Sequence, residues 1–319
     1  MRRLTTLATV VAITLLSYVV VESPAAQGTT PAKNGPILFG SDLGLGFQLF
    51  TINPDGTGFR QLTNVEGEAL HPDWSPDGRQ IVFELDHPSG EPFCSVVRMD
   101  ADGTNMVDLT GQRNGCEGQP SFTPSGRRIV FGRFNDITNV EAIWSMNLQG
   151  GDRHRITTGI GKGVTDPNVS PLGHKLTFVV YNGVDFGQAL YTSRLDGSHL
   201  RRIVPFRFDV GIKQDWAPDG HHITFTPWAD YPDDRSPHVA TIRPDGSNMR
   251  LLSRAKGPGI GAFTGSYSPD NRWIVFRHEN LNTERFGLYK IRPDGSDRTL
   301  IALMPFAPRF IDWGPQPQP

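Results

Sequence analysis

The hydrophobic positions of this chain recur with a long period. Six short apolar triplets end in phenylalanine: Ile37-Leu38-Phe39, Ile81-Val82-Phe83, Ile129-Val130-Phe131, Leu176-Thr177-Phe178, Ile223-Thr224-Phe225 and Ile274-Val275-Phe276. Their phenylalanines stand 44, 48, 47, 47 and 51 residues apart. Ahead of the last five lies a polar turn: Ser75-Pro76-Asp77-Gly78, Thr123-Pro124-Ser125-Gly126, Ser170-Pro171-Leu172-Gly173, Ala217-Pro218-Asp219-Gly220 and Ser268-Pro269-Asp270-Asn271. Proline at the second place pre-sets φ, and glycine or asparagine at the fourth accepts the left-handed conformation, so each is a tight hairpin connection. A second turn follows each triplet, at Asp55-Gly56, Asp102-Gly103, Gln149-Gly150, Asp196-Gly197, Asp245-Gly246 and Asp294-Gly295. Short segments come next, ending at pairs such as Leu62-Thr63 and Leu109-Thr110. Every period therefore predicts four short strands. Strand a runs into the proline turn, b carries the triplet, c precedes the Asp-Gly turn, and d follows it.

One four-stranded antiparallel unit cannot bury both of its faces, so it must stack on copies of itself. A period of roughly 40 to 50 residues with four strands each is the propeller pattern. The strand count also predicts how the ring closes. The segment from Ile37 to Thr63 supplies b, c and d but no a. Phe310-Ile311-Asp312-Trp313-Gly314-Pro315 matches His71-Pro72-Asp73-Trp74-Ser75-Pro76 and supplies the missing strand. The expected fold is all-β: a six-bladed β-propeller over residues 36–315, made of four-stranded antiparallel blades. Its C-terminal strand pairs with the N-terminal strands, leaving no open sheet edge.

Asp73-Trp74-Ser75-Pro76-Asp77-Gly78, followed by Ile81-Val82-Phe83, Asp102-Gly103 and Leu109-Thr110, resembles the repeat of the TolB-like, WD-like propeller family. The resemblance extends from Ile37 to Pro315 and implies the fold; function has to be argued from sites carried on it. The α/β domain that precedes the propeller of TolB is not expected in this chain. Nor is the hydrolase domain of the prolyl-oligopeptidase relatives. The expectation is a stand-alone propeller.

Composition agrees with a turn-rich, helix-poor chain, with 35 Gly and 26 Pro among 319 residues. A net charge of −2 gives no basic surface for nucleic acid. Arg2 and Arg3 precede an apolar run from Leu4 to Val21, and Ala25-Ala26 follow, which is the pattern of a signal peptide over 1–26. The same run is just long enough to serve as an uncleaved anchor. Residues 27–35 read as a disordered leader and 316–319 as a tail. The protein is thus expected to be exported, periplasmic or extracellular, and monomeric, with no membrane span after cleavage. In an oxidising compartment its two cysteines, Cys94 and Cys116, are expected to form a disulfide. Both fall on one face, Cys94 opening a strand c and Cys116 in the next d–a connection.

Strands a should line the central channel. The position before the aromatic is polar in every blade: Asp73, Ser121, Asn168, Asp215, Ser266 and Asp312. Two residues earlier stand His71, Gln119, Asp166, Lys213, Thr264 and Phe310. These groups either bond neighbouring blades and water or form a polar channel that takes a ligand, a peptide or a hard cation such as Ca²⁺. On the second reading the candidate ligand-binding residues are Glu68, His71, Asp73, Asp166, Lys213, Asp215 and Asp312. The carboxylates of Asp73, Asp215 and Asp312 are the candidate metal ligands. The longer b–c and d–a connections, around residues 85–92, 135–141, 229–237 and 280–286, share one face, where a rigid scaffold usually carries its binding loops. No Gly-x-Ser-x-Gly elbow, His-Glu-x-x-His or phosphate loop occurs, so no catalytic residue is assigned and no cofactor is required. Three function classes remain, one of them a purely structural or cell-envelope interaction module that would show protein-sized contacts rather than a small-ligand pocket; the other two are these. One is a binding or scaffolding module for a protein, a cell-envelope component or a small ligand. The other is a propeller enzyme of the polysaccharide lyase or hydrolase type, with a divalent metal at the channel mouth.

Overall fold

The computed structural model describes residues 32–44, 46–88, 94–111, 115–135, 140–158, 160, 163–182, 187–211, 213–228, 236–253 and 257–317. The signal peptide expected over 1–26 and the leader up to residue 31 lie outside the described residues, as do parts of the long loops (89–93, 136–139 and 229–235).

Six four-stranded antiparallel sheets are present, one per sequence repeat. Blade 1 joins the two ends of the described chain, in the order Arg309–Pro315, Asn34–Asp42, Phe47–Ile52, Arg60–Gln61. Its innermost strand is the last one in the sequence, with Ile37 opposite Trp313, Leu38 opposite Asp312 and Gly40 opposite Arg309. Blades 2 to 6 follow in chain order, and their innermost strands are Glu68–Trp74, Cys116–Phe122, Val164–Val169, Asp215–Trp216 and Ile260–Tyr267. The closing ladder reaches slightly beyond the expected leader boundary. Asn34 pairs with Pro315, and Gln316 N–H donates to the Lys33 carbonyl at 2.8 Å.

The turns adopt the conformations their residues call for. Gly78, Gly126, Gly173, Gly220 and Asn271, the last residues of the five proline turns, all have positive φ, between 61° and 74°. The second set of turns, Asp-Gly in five repeats and Gln149-Gly150 in the third, uses glycine for a further reason. At Gly150 (φ 80°) an added Cβ would lie 2.1 Å from the Leu109 carbonyl oxygen of the preceding blade. Only a residue without a side chain lets the blades approach that closely.

The core lies between blades. All six triplet phenylalanines have no exposed surface. Six apolar clusters each combine two adjacent blades. One joins Ile37, Phe39, Ile311 and Trp313 of blade 1 to Val275 and Leu288 of blade 6; another joins Leu38 and Leu49 of blade 1 to Trp74 and Phe83 of blade 2. The remaining four carry the same pairing round the ring. Burying the sheet faces against one another is what makes a single blade dependent on its neighbours.

Cys94 and Cys116 form a disulfide, with their Cα atoms 4.5 Å apart. Cys116 opens the innermost strand of blade 3 rather than sitting in the connection before it. The bond therefore staples a strand of blade 2 to a strand of blade 3.

One local feature departs from the simple alternation expected of strands a. His71, Gln119, Asp166, Lys213 and Phe310, equivalent positions in five blades, have φ between 47° and 70°. The ladder shifts register at the corresponding place in blades 1, 2, 3, 4 and 6. An extra residue is accommodated there as a bulge. Proline follows in blades 2, 3 and 4 (Pro72, Pro120, Pro167), and having no N–H it loses nothing by leaving the ladder.

Candidate binding site at the channel mouth

The polar residues along the axis tie the blades together. Asp312 Oδ2 accepts the Trp74 N–H at 2.8 Å, Asp73 Oδ2 the Phe122 N–H at 2.8 Å, and Asp215 Oδ2 the Tyr267 N–H at 2.9 Å. Ser266 Oγ accepts the Trp313 N–H at 2.5 Å, and Asn168 Nδ2 donates to the Gln214 carbonyl at 3.3 Å. The step from blade 3 to blade 4, where Ser121 is too short, is bridged at the bulge by Gln119 Oε1, which accepts the Asp166 N–H at 2.7 Å. Asp166 in turn accepts the Lys213 N–H at 2.5 Å. Each blade is thus tied to the next by at least one side-chain bond.

Lys213 sits within this ring. Its Nζ donates to the Pro72 carbonyl at 2.9 Å and lies 3.7 Å from Asp73 Oδ1. Burial pulls its pKa down, but the carboxylates of Asp312, Asp73, Asp166 and Asp215 outweigh burial and hold it above the ordinary lysine value. The carboxylates feel the same crowding. Burial, then the charge of Asp312, raises Asp73 well above the usual range and Asp215 to about 7. Burial also raises Asp166. His71 is buried, its ring 3.9 Å from that of Phe310, and burial followed by the Lys213 charge lowers it to about 3. Among the predicted residues Glu68 stands apart, half-buried at the loop-face end of its strand and paired with Asp86.

The three candidate metal ligands do not converge. Among the described residues, the only group of three such donor atoms within 4.8 Å of one another is Glu84 with Cys94 and Cys116, and both sulfurs are taken by the disulfide. Glu84 itself accepts the Gln119 N–H at 2.7 Å, another bond between blades. The positive charge placed among Asp73, Asp215 and Asp312 is the ammonium of Lys213.

A cavity of about 290 Å³ opens beside this network, lined by residues of blades 5, 6 and 1. Lys213 and Thr226 floor it, Trp228, Phe263 and Phe310 supply aromatic walls, and Arg277, Glu279 and Arg309 supply charge. Trp228 is 42% exposed and meets the edge of Phe263 at 5.2 Å. Arg277 is buried, its guanidinium 3.8 Å from the Phe263 ring centroid and its Nε 3.1 Å from Glu279. The connections of these blades expose apolar side chains as well. Leu43, Trp228, Leu281 and Phe306, all exposed, belong to the loop-face connections of these same three blades.

Of the candidate residues, the structure brings His71, Asp73, Asp166, Lys213, Asp215 and Asp312 into one network, and only Lys213 lines the cavity. Sequence reasoning missed Arg277, Trp228, Phe263 and Arg309. The available signal was position: Arg277 and Trp228 follow the triplet phenylalanines Phe276 and Phe225, on the side of them that leads to the b–c loops.

Residues 103–317 match the family model of the TolB beta propeller domain. A stretch of 35 residues, 11% of the chain, is 51% identical to the Tol-Pal system protein TolB of Nitratidesulfovibrio vulgaris and spans 8% of that protein's length. The crystal structure of TolB from Acinetobacter baumannii superposes with a TM-score of 0.71 at 18% identity, over 88% of this chain and 67% of that one. A chain of the nidogen/laminin complex superposes with a TM-score of 0.65 at 10% identity, over 88% of this chain and 98% of that one. At such identities the structural likeness speaks for the fold. With the repeat, the closed six-bladed ring and the family match in agreement, this chain belongs to the TolB beta propeller domain family.

Proposed function

We propose that this protein is an exported, monomeric binding module that holds another protein of the cell envelope against the loop face of its propeller. The contact would centre on the channel mouth between blades 5, 6 and 1. The observation that carries this reading is the cavity there, with exposed Trp228 at its wall and exposed Leu43, Leu281 and Phe306 in the surrounding connections. Protein interfaces combine an aromatic, apolar centre with arginine, and this is the composition of the mouth. Export is supported by the signal-peptide pattern of residues 1–26 and by the disulfide. The partial match to a Tol-Pal system protein and the likeness to a chain of a nidogen/laminin complex favour a protein as the partner. The channel residues Asp73, Asp215 and Asp312 serve in this reading as bonds between blades, with Lys213 as their counter-charge in place of Ca²⁺.

The test is affinity capture from the exported fraction of the native cell. The wild-type protein and a Leu172→Ala variant on the opposite, tight-turn face should retain the same partner. A Trp228→Ala/Phe306→Ala variant should lose it. Equal capture by all three would overturn the assignment of the mouth as the binding face.

A further inference from the structure

The cavity at the mouth has an excess of positive charge that the fold does not use. Lys213 is committed to the channel carboxylates and Glu279 to Arg277. Arg309, on the exposed rim, has no ion-pair partner among the described residues; it lies over the Phe47 ring at 5.6 Å. Arg277 has donors to spare. Its Nη1 makes one long bond to the Pro308 carbonyl, 3.4 Å, and its buried Nε makes no aligned hydrogen bond although Glu279 is near. A guanidinium carries five N–H donors, and buried donors are ordinarily all paired. Burial lowers Arg277 to about 10, with Glu279 opposing that shift and the charge of Arg309 adding to it. Two guanidinium groups that repel one another across an open cavity are an arrangement completed by an anion.

We infer that this cavity takes a carboxylate from a partner peptide, held by Arg277 and Arg309, with the adjoining apolar side chain packed against Trp228 and Phe310. Arginine suits a carboxylate because its planar fork can meet both oxygens. The aromatic walls suit the apolar part, and about 290 Å³ has room for one or two residues. The inference rests on the mouth being the docking face, and it names the chemistry recognised there.

Arg277 is buried in its blade, so the test uses the exposed residues Arg309 and Trp228. N-acetylphenylalanine, which carries a free carboxylate, is titrated into the protein by calorimetry beside its uncharged amide. The carboxylate should bind at millimolar concentrations, and the amide about tenfold more weakly, the worth of a charge-assisted bond. Arg309→Gln should remove that preference while leaving weak binding of both probes, and Trp228→Ala should weaken both together. Equal binding of acid and amide, or no binding of either, would overturn the inference. The two readings fail separately. If partner capture is unchanged by Arg309→Gln and the probes do not bind, the anion subsite is wrong and the docking face stands. If the probes bind as expected and no partner depends on the mouth, the docking reading falls alone.

Discussion

The residue that organises the channel is Lys213. Removing one partner from a buried charge network leaves the others uncompensated, a cost of about 3–5 kcal/mol. Lys213→Met should destabilise the ring by that amount at pH 8 in urea titrations, and by less at pH 5, where Asp73 and Asp215 are protonated. Asp215 gives a cleaner pH test. Its folded pKa, about 7, is above that of the unfolded chain, so it favours folding most fully below the unfolded value. That advantage is lost as pH rises through 7. Asp215→Asn keeps an acceptor for the Tyr267 N–H but cannot ionise, so its melting temperature relative to wild type should climb between pH 4 and pH 8. A flat difference would contradict the buried-carboxylate account. His71, lowered to about 3, works in the opposite direction between pH 3 and its unfolded pKa of about 6.5, which is why the difference between variants is the informative quantity. Gly150→Ala should also destabilise, by about 1–3 kcal/mol, from the forced positive φ and the close Leu109 carbonyl.

At the scale of strands, the sequence revealed what repeats and concealed what depends on geometry. The triplets, the proline turns, the closing strand at Phe310–Trp313 and the cysteine pair were all legible, because each follows from local chemistry at a fixed period. The bulge in strands a was not. Simple alternation runs through His71-Pro72, Gln119-Pro120 and Asp166-Pro167, although a proline, having no N–H, is found in a strand at an edge or a bulge. The mouth cavity was not legible either, since Trp228, Arg277 and Arg309 come from three blades and meet only once the ring closes. Two expectations follow from the strand pairing. Truncation after Met304 removes the innermost strand of blade 1 and with it Ile311 and Trp313 from a core cluster; the product should aggregate or fail to fold, as judged by size exclusion and circular dichroism. Reducing the Cys94–Cys116 bond, which spans 22 residues, should lower stability by about 3 kcal/mol on the loop-entropy estimate. Coincident urea transitions for the oxidised and reduced forms would contradict this.

The whole molecule divides its labour between two faces and an axis. Tight turns of fixed sequence close one face, and polar side chains along the axis bond each blade to the next. The variable connections, with exposed Leu43, Trp228, Leu281 and Phe306 and the arginine-lined cavity, occupy the other. A rigid ring of this kind presents a preformed surface, so partner binding should protect that surface without rearranging the blades. The most direct test is amide hydrogen exchange of the protein alone and with its captured partner. Added protection is expected in Ile260–Thr264, Arg277–Leu281 and Phe306–Phe310, with the turns at 75–78, 123–126 and 217–220 unchanged. Protection confined to those turns, with the channel mouth exchanging as before, would contradict it.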